Sequence, residues 1–432
     1  CIRDRGTRMN AQYSRYAGSG CSVAIWALPL ATIALFAGCA AQREHVIDEE
    51  LVRRRIDYTD ASAMRRKVTE QQFMARMKQK QTDFLSGRTS DPPTFDVLIL
   101  SGGGEFGAFG AGFLSGWSTV ADPKWKKPSF DLVTGVSTGA LLAPFAFLGD
   151  RESLERAVVL YSEPSTDWIS LRGLFFFLPA NRSLMRIDGL KRDIKAEFSE
   201  PVIRRIVEES DRGRLLAIGT TNLDFGMQRI WDMGVQGRAA LESGSNDRFV
   251  DILLASSAIP GAFPAIEIDG NLYADGAITA NILYNASAAS SEGFAASWRR
   301  EFPDQPVPRA RFWVIINNQL IAPPAITPPT WTGVMGASIS TAIRSATNTS
   351  LNHLQVQIQL LEALGIAKAD FHYVAIPEQW RAPVRGAFQA ETMSNLADLG
   401  QKMGADPASW RIGAEPIFTS SDTLPVLGNE AP

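Results

Sequence analysis

The pentapeptide Gly135-Val136-Ser137-Thr138-Gly139 holds the residue types needed to raise a nucleophile. It follows the apolar run Phe130 to Thr134 and precedes Ala140-Leu141-Leu142-Ala143, so the serine falls on a strand-turn-helix junction. In so tight a turn a Cβ at position 135 or 139 would collide with neighbouring backbone, which accounts for glycine at both. A serine at a helix N-terminus also sits among N–H groups that favour developing negative charge. The chemistry implied is attack through Ser137 Oγ on an electrophilic carbonyl. The bland use of the same residue is a capping serine in a strand-helix turn.

A serine nucleophile needs a base. The chain has three histidines, His45, His353 and His372. His45 falls in a polar N-terminal stretch and His353 in a helical pattern. His372 completes the Ser, Asp, His chain order of α/β-hydrolases, but Phe371 to Ile376 reads as a strand, whereas a triad histidine belongs on a loop beyond one. Asp275, in Tyr273-Ala274-Asp275-Gly276-Ala277, is the better candidate: it stands at a strand end with glycine directly after it. Burial beside apolar groups would raise its pKa and improve it as a base. Its ordinary role would be that of a turn aspartate.

A second glycine-rich turn, Ser101-Gly102-Gly103-Gly104-Glu105-Phe106-Gly107, also follows a strand and opens a helix. Two chemistries compete for it. Gly102-x-Gly104-x-x-Gly107 fits the dinucleotide fingerprint, which requires an acidic ribose-binding residue at the end of the second strand. The second strand ends instead in the serine turn. Alternatively the N–H groups of Gly102, Gly103 and Gly104 converge on an acyl oxygen as an oxyanion hole. A phosphate-binding P-loop is excluded, because no Gly-Lys-Ser or Gly-Lys-Thr follows.

Taken together and in this order, the three elements resemble the patatin-like phospholipase family, over about residues 95 to 290 strongly and more weakly to about 400. That family has a D-G-G-G-x-R/K-G loop, a G-x-S-x-G nucleophile turn and an aspartate in a D-G-A/G motif. Gly219 to Asp224 and Ala255 to Pro264 are similar to further family patterns. The chain departs from the loop pattern at Ser101, in place of Asp, and at Phe106, in place of Arg or Lys. The resemblance implies a three-layer α/β/α sandwich with a mostly parallel central sheet. It also implies a Ser137–Asp275 dyad without histidine, in which Gly102, Gly103 and Gly104 supply the oxyanion hole and Gly135 and Gly139 shape the nucleophile turn. The expected activity is that of a serine lipid acyl hydrolase on a phospholipid or other acyl-ester lipid, using no metal or cofactor. The alternatives are a weakly catalytic lipid- or partner-binding lipoprotein of the same fold and, from the glycine fingerprint, a dinucleotide-binding oxidoreductase.

The elements that must position these residues read as α/β. Short apolar runs at 95–100, 130–134, 215–220, 271–274, 312–316 and 372–376 alternate with helical stretches at 107–119, 140–148, 190–209 and 337–364. Leu174-Phe175-Phe176-Phe177-Leu178-Pro179 is a candidate acyl-pocket wall or lid, and equally an ordinary buried segment. At 432 residues with 45% hydrophobic and 21% charged side chains, the chain can bury a real core and is neither disordered nor collagen-like. Its 43 Lys and Arg against 46 Asp and Glu are too balanced to suggest a nucleic-acid partner.

The three cysteines, Cys1, Cys21 and Cys39, exclude a disulfide framework or a cysteine metal site in the remainder. Residues 1–39 read as an address: Arg3, Arg5, Arg8 and Arg15 precede a stretch from Tyr16 to Gln42 without charge. It closes on Leu35-Phe36-Ala37-Gly38-Cys39, which resembles a bacterial lipobox, with Phe36 where Leu is usual. A lipidated Cys39 is the expectation, an uncleaved N-terminal anchor or simple secretion the alternatives. Each puts the chain outside the cytoplasm, as a membrane-anchored lipoprotein of the cell envelope in the leading case, at the outer membrane or periplasmic face. Met9 is the expected start, and residues 1–8 are given no role. The expected organisation is then a signal segment (1–39), a helical spacer (40–93), an α/β catalytic domain (94–400) and a loop-rich C-terminal extension (401–432).

Overall fold

Helix α1 (Asp48–Leu85) is followed by β1 (Thr94–Leu100), α2 (Gly107–Trp117), β2 (Leu132–Val136), α3 (Thr138–Leu148) and α4 (Arg151–Ser162). A two-stranded ribbon of β3 (Ser170–Leu171) and β4 (Met185–Arg186) precedes α5 (Asp188–Glu197) and α6 (Glu200–Asp211). Then come β5 (Leu215–Asn222), β6 (Met227–Asp232), α7 (Met233–Ser243), α8 (Asp247–Ser256), β7 (Ile266–Ile268) and β8 (Asn271–Asp275). The chain continues through α9 (Glu292–Glu301), β9 (Arg309–Ile316), α10 (Trp331–Ala363), β10 (Ala369–Ala375), α11 (Ala390–Gly404) and β11 (Arg411–Ile412). This computed structural model describes residues 47–171, 183–284, 292–384 and 386–413. Cys39, His45 and the Leu174 to Pro179 run lie outside the described residues.

The sheet order is β11-β10-β9-β1-β2-β5-β8-β7, with β6 on the other edge of β5. Strands β10, β9, β1, β2 and β5 are parallel neighbours, and the antiparallel pairings lie at the two ends. Alternate side chains of a strand leave on opposite faces, and β1 shows the result. Phe95, Val97 and Ile99 enter one core with Phe73 and Met77 of α1, Trp298 of α9 and Leu351 and Leu354 of α10. Leu98 and Leu100 enter another with α2, α3, α8 and α11. A mostly parallel sheet with helices on both faces agrees with the α/β reading of the alternating apolar runs and is the sandwich that the resemblance implies.

All six predicted strands are present, and the differences elsewhere have local causes. The stretch 190–209 is two helices rather than one, because Pro201 lacks an N–H and fits only the first turn of a new helix, α6. Helix α10 starts at Trp331 instead of residue 337, where the Thr330 side chain accepts the Gly333 N–H at 3.2 Å. Strands β6 and β7 carry too few alternating apolar residues to be read from sequence.

Two expected boundaries are not packing boundaries. The segment read as a spacer ends inside the body, where Phe73 and Met77 are buried. There Arg76 Nε and Lys80 Nζ reach the buried carboxylate of Asp131 at 2.8 and 2.6 Å. At the other end, α11 runs past residue 401 and Trp410 is buried against Phe113, Trp117 and Trp313, with ring centroids 5.0, 4.7 and 5.1 Å away. Strand β11 then pairs with β10. The body extends to Ile412 because these aromatic faces need covering.

A buried carboxylate stripped of its counter-charges is costly. The double variant Arg76→Ala, Lys80→Ala is therefore expected to lose about 3–5 kcal/mol in denaturant unfolding, and a loss within error would show that Asp131 does not hold α1 to the sheet.

Candidate active site

The parallel registers bring three strand ends together: Leu100 lies opposite Gly135 on one side and Ile315 on the other. The glycine loop after β1, Ser137 after β2 and Asn317 after β9 thus share the carboxyl edge of the sheet, where α/β folds place their sites. Ser137 is a non-glycine residue held at φ 55° and ψ −128° between β2 and α3. Such a conformation persists only where the surroundings enforce it. A Cβ at Gly135 would run into the Gly139 carbonyl, and one at Gly139 into the carbonyls of Leu100 and Ser101. The turn is braced from behind by Ser256 of α8, whose Oγ accepts the Ser137 N–H at 2.9 Å and donates to the Gly219 carbonyl at 2.6 Å.

Asp275 comes from the opposite direction. Val136 pairs with Gly219 of β5, and Asp275 pairs with Thr220, the next residue along. Because β6 occupies the other edge of β5, β2 and β8 line up end to end on one edge. Their meeting places Ser137 Oγ 2.7 Å from Asp275 Oδ2, with Ser137 4% and Asp275 1% exposed. The remaining carboxylate oxygen, Oδ1, accepts the Ala277 N–H at 2.8 Å. The Asp275 backbone is fixed by its N–H to the Ala258 carbonyl and by Thr221 Oγ1 donating to its own carbonyl, each at 2.9 Å. Val136, Ala277 and Leu283 form the apolar cluster beside it. Burial pushes the Asp275 carboxyl up to about 7, against the smaller opposing effect of the two hydrogen bonds.

The glycine loop is held by neutral side chains. Ser101 Oγ donates to the Gly102 carbonyl and accepts the Asn317 N–H, each at 2.9 Å, while Asn317 Nδ2 reaches the Ser101 carbonyl at 2.8 Å. Gly102 donates its N–H to Asn281 Oδ1 at 2.8 Å, and Asn281 Nδ2 reaches Thr347 Oγ1 at 2.6 Å. The Gly102 amide is therefore committed, which separates it from the other two expected donors. The N–H groups of Gly103 and Gly104 have no acceptor among the described residues. Phe106 packs edge-to-face on Trp380 with centroids 5.7 Å apart. Glu105, its carboxyl raised by burial to about 7, accepts the Phe388 N–H.

The two histidines among the described residues stand apart from this centre. His353 lies on α10 and pairs with Tyr284 Oη at 2.6 Å and Gln357 Nε2 at 3.0 Å. His372 lies in β10, three strands from β2, or about 14 Å at the usual strand spacing. It is stacked on Trp313 at 4.3 Å, and burial lowers its pKa to about 4. Among the described residues no three His, Cys, Asp or Glu side chains group as a metal site would require.

Sequence reasoning missed Ser256, Asn281 and Asn317. Asn317 had a signal, a polar residue immediately after an apolar strand at the carboxyl edge. Ser256 lies within the quoted Ala255 to Pro264 stretch but carries no chemical mark of its role, and the Asn281 partner is 179 positions away in the chain.

A strained serine turn meeting a buried carboxylate at the strand ends of an α/β sheet can carry nucleophilic acyl chemistry. Residues 98–287 match the family model described as patatin-like phospholipase. A similar curated protein is the cGAMP-activated phospholipase of Pseudomonas aeruginosa (strain BWHPSA011 / Pa011), 26% identical over 193 residues. The match covers 44% of this chain and 54% of that protein, so the chain spans about half the length of its relative. Among solved structures, the crystal structure of VipD from Legionella pneumophila aligns with 74% of this chain and 68% of its own at 11% identity. Its TM-score of 0.30 is too low to carry an argument.

A carboxyl whose native pKa is raised from the ordinary 3.8 to about 7 binds its proton more tightly folded than unfolded. The stability this confers is complete below pH 3.8 and is lost as pH climbs through 7. Asp275→Asn is accordingly expected to gain stability relative to the parent between pH 5 and pH 8; an unchanged difference across paired denaturant titrations would contradict the raised pKa.

Proposed function

We propose that this protein is a serine lipid acyl hydrolase that works through a Ser137–Asp275 dyad. The observation that carries this reading is the 2.7 Å hydrogen bond between Ser137 Oγ and a carboxylate poised near neutrality, with no histidine bonded to either among the described residues. The patatin-like domain match and the phospholipase name of its relative support a lipid ester as substrate.

Asp275 Oδ2 accepts the Ser137 proton as Oγ attacks the ester carbonyl carbon. The carbonyl oxygen becomes an oxyanion held by the Gly103 and Gly104 N–H groups. Oxyanion donors of this kind are worth about 2.7–4 kcal/mol each. Collapse of the tetrahedral intermediate breaks the ester C–O bond, and the leaving alkoxide takes the proton back from Asp275. Water then gives a proton to Asp275 and attacks the acyl-serine, releasing a fatty acid and restoring Ser137 Oγ–H. Apolar surroundings supply the raised basicity that a histidine supplies elsewhere, and glycine N–H groups supply the positive end.

Ser137→Ala and Asp275→Asn are each expected to lower kcat/KM on a chromophoric acyl ester by about 10³-fold or more. Circular dichroism should remain that of the parent. Near-parental turnover in either purified variant would sink the dyad. Because the base must be ionised, kcat/KM should rise with pH through an apparent pKa near 7; a flat profile from pH 5 to pH 8 would assign the base elsewhere.

The cellular setting forms part of the same reading. Cys39, at the end of the lipobox-like stretch, is the attachment point of an envelope lipoprotein held close to its lipid substrate. Cys39→Ala is expected to lose incorporation of a palmitate analogue and to shift the protein from the membrane to the soluble fraction. Undiminished labelling of that variant would remove Cys39 from the scheme.

A further inference from the structure

A cavity of about 510 Å³ lies between the middle of α1 and the β2, β5 and β6 part of the sheet. That volume falls within the range of about 300–1,000 Å³ typical of small-molecule sites. None of Gly102, Gly103, Gly104, Ser137 or Asp275 lines it. Its two walls do not match in polarity. The floor is apolar, built from Phe95, Leu132, Leu215, Ala217 and Leu283. The roof is α1, whose inward stripe over the cavity is Ser62, Arg65, Thr69 and Gln72, with Met64 and Val68 at its margin and Phe73 at its end. One turn further, at Phe73 and Met77, the same face becomes apolar and buried on the sheet. A helix that merely covered the sheet would carry apolar residues along the whole of this stripe.

Three polar atoms around the cavity, on α1 and on β6, lack hydrogen-bond partners, although the Arg229 guanidinium lies over the Trp231 ring at 4.5 Å. Gln228 Nε2 and Arg229 Nε are buried donors without an acceptor, and Gln72 Oε1 is a buried acceptor without a donor, among the described residues. A half-turn of the Gln72 amide would present its Nε2 as another donor. Arg65 donates to Ser62 Oγ at 2.6 Å and lies 6.0 Å from the Tyr58 ring. Neither Arg65 nor Arg66 has a carboxylate partner among the described residues, although Arg54, Arg76, Lys78 and Lys80 of the same helix do. The carboxylate lining the cavity, Asp232, is engaged, its Oδ1 accepting the N–H groups of Gly234 and Val235 at 2.9 and 3.3 Å. Unsatisfied donors and unpaired cations above an apolar floor fit a ligand with an apolar chain and an anionic head.

We propose that this cavity binds a single-chain lipid anion, a long-chain carboxylate. Its chain lies over Leu132, Leu215 and Ala217, and its head is held by Arg65 and Gln228. The proposal is independent of the hydrolase reading, since it uses neither Ser137 nor Asp275.

The test is calorimetric titration of dodecanoate into the full chain carrying Ser137→Ala. One saturable site is expected, with affinity about tenfold or more weaker in the double variant Arg65→Gln, Gln228→Leu, as befits lost hydrogen bonds to a charged group. Ala217→Trp, which fills the floor, should abolish binding. Thr69→Trp fills the cavity from the helix side and serves if the strand variant fails to fold by thermal melting. Parent enzyme carrying a long-chain fluorophosphonate on Ser137 should still bind, which separates this cavity from the acyl site. Should Ser137 not label, the hydrolase reading fails while the Ser137→Ala titration still decides the cavity. The proposal is overturned by the absence of saturable binding, by binding that survives both filling variants, by binding lost on labelling Ser137, or by dodecanol binding as tightly as dodecanoate.

Discussion

Along one edge of β5, β2 advances to Val136 opposite Gly219, and β8 arrives from the other direction to place Asp275 opposite Thr220. The two strands occupy the same hydrogen-bonding edge and stop against each other. This end-to-end meeting makes the site: the serine is the first residue after one strand and the carboxylate the last residue of the other. Register leaves almost no freedom. A one-residue slip of β8 would turn Asp275 to the other face, and a two-residue slip would carry it about 7 Å away. The bonds from Ala258, Thr221 and Ala277 to Asp275, and from Ser256 to Ser137, hold both ends in that relation.

The electrostatics of the centre follow from how little charge it contains. Asp275 is raised by burial beside Val136, Ala277 and Leu283, with no cation among the described residues to hold it ionised. The loop that faces it is tied by Ser101, Asn281 and Asn317, all neutral, and backed by Phe106 on Trp380. Hydroxyl and amide side chains fix the loop, and the N–H groups of Gly103 and Gly104 have no acceptor among the described residues.

Further from the centre, the charged groups serve attachment. Asp131 takes Arg76 and Lys80 from α1, and Asp96 takes Arg311 in a bidentate pair at 2.7 Å. These pairs sit at the opposite end of β1 and β2 from the glycine loop, where the first anchors a long helix and the second ties β1 to β9, without touching the chemistry. The same helix roofs the cavity with polar residues just before its apolar turn, so one element is both a structural clamp and a candidate ligand wall.

Much of this was legible in the residues themselves, for local reasons. Apolar runs of strand length bounded by turn residues located six of the nine strands of the central sheet, and glycine at 135, 139 and 102–104 marked where backbone must approach backbone. A carboxylate at a strand end before glycine stood out at Asp275. What could not be read depends on contacts between distant positions. Pro201 divides a helix that looked continuous only when its apolar spacing was read alone. Phe73, Met77 and Trp410 looked like parts of a spacer and a tail, because burial is a property of the surfaces they meet. Asn281 and Gly102 are 179 residues apart, and no local pattern links them. The sequence by itself determined which groups can act, because nucleophilicity, acidity and backbone freedom belong to residue types. Only the tertiary structure decided which groups meet and how acidic Asp275 is, because strand register sets the 2.7 Å contact and exclusion of water sets the pKa.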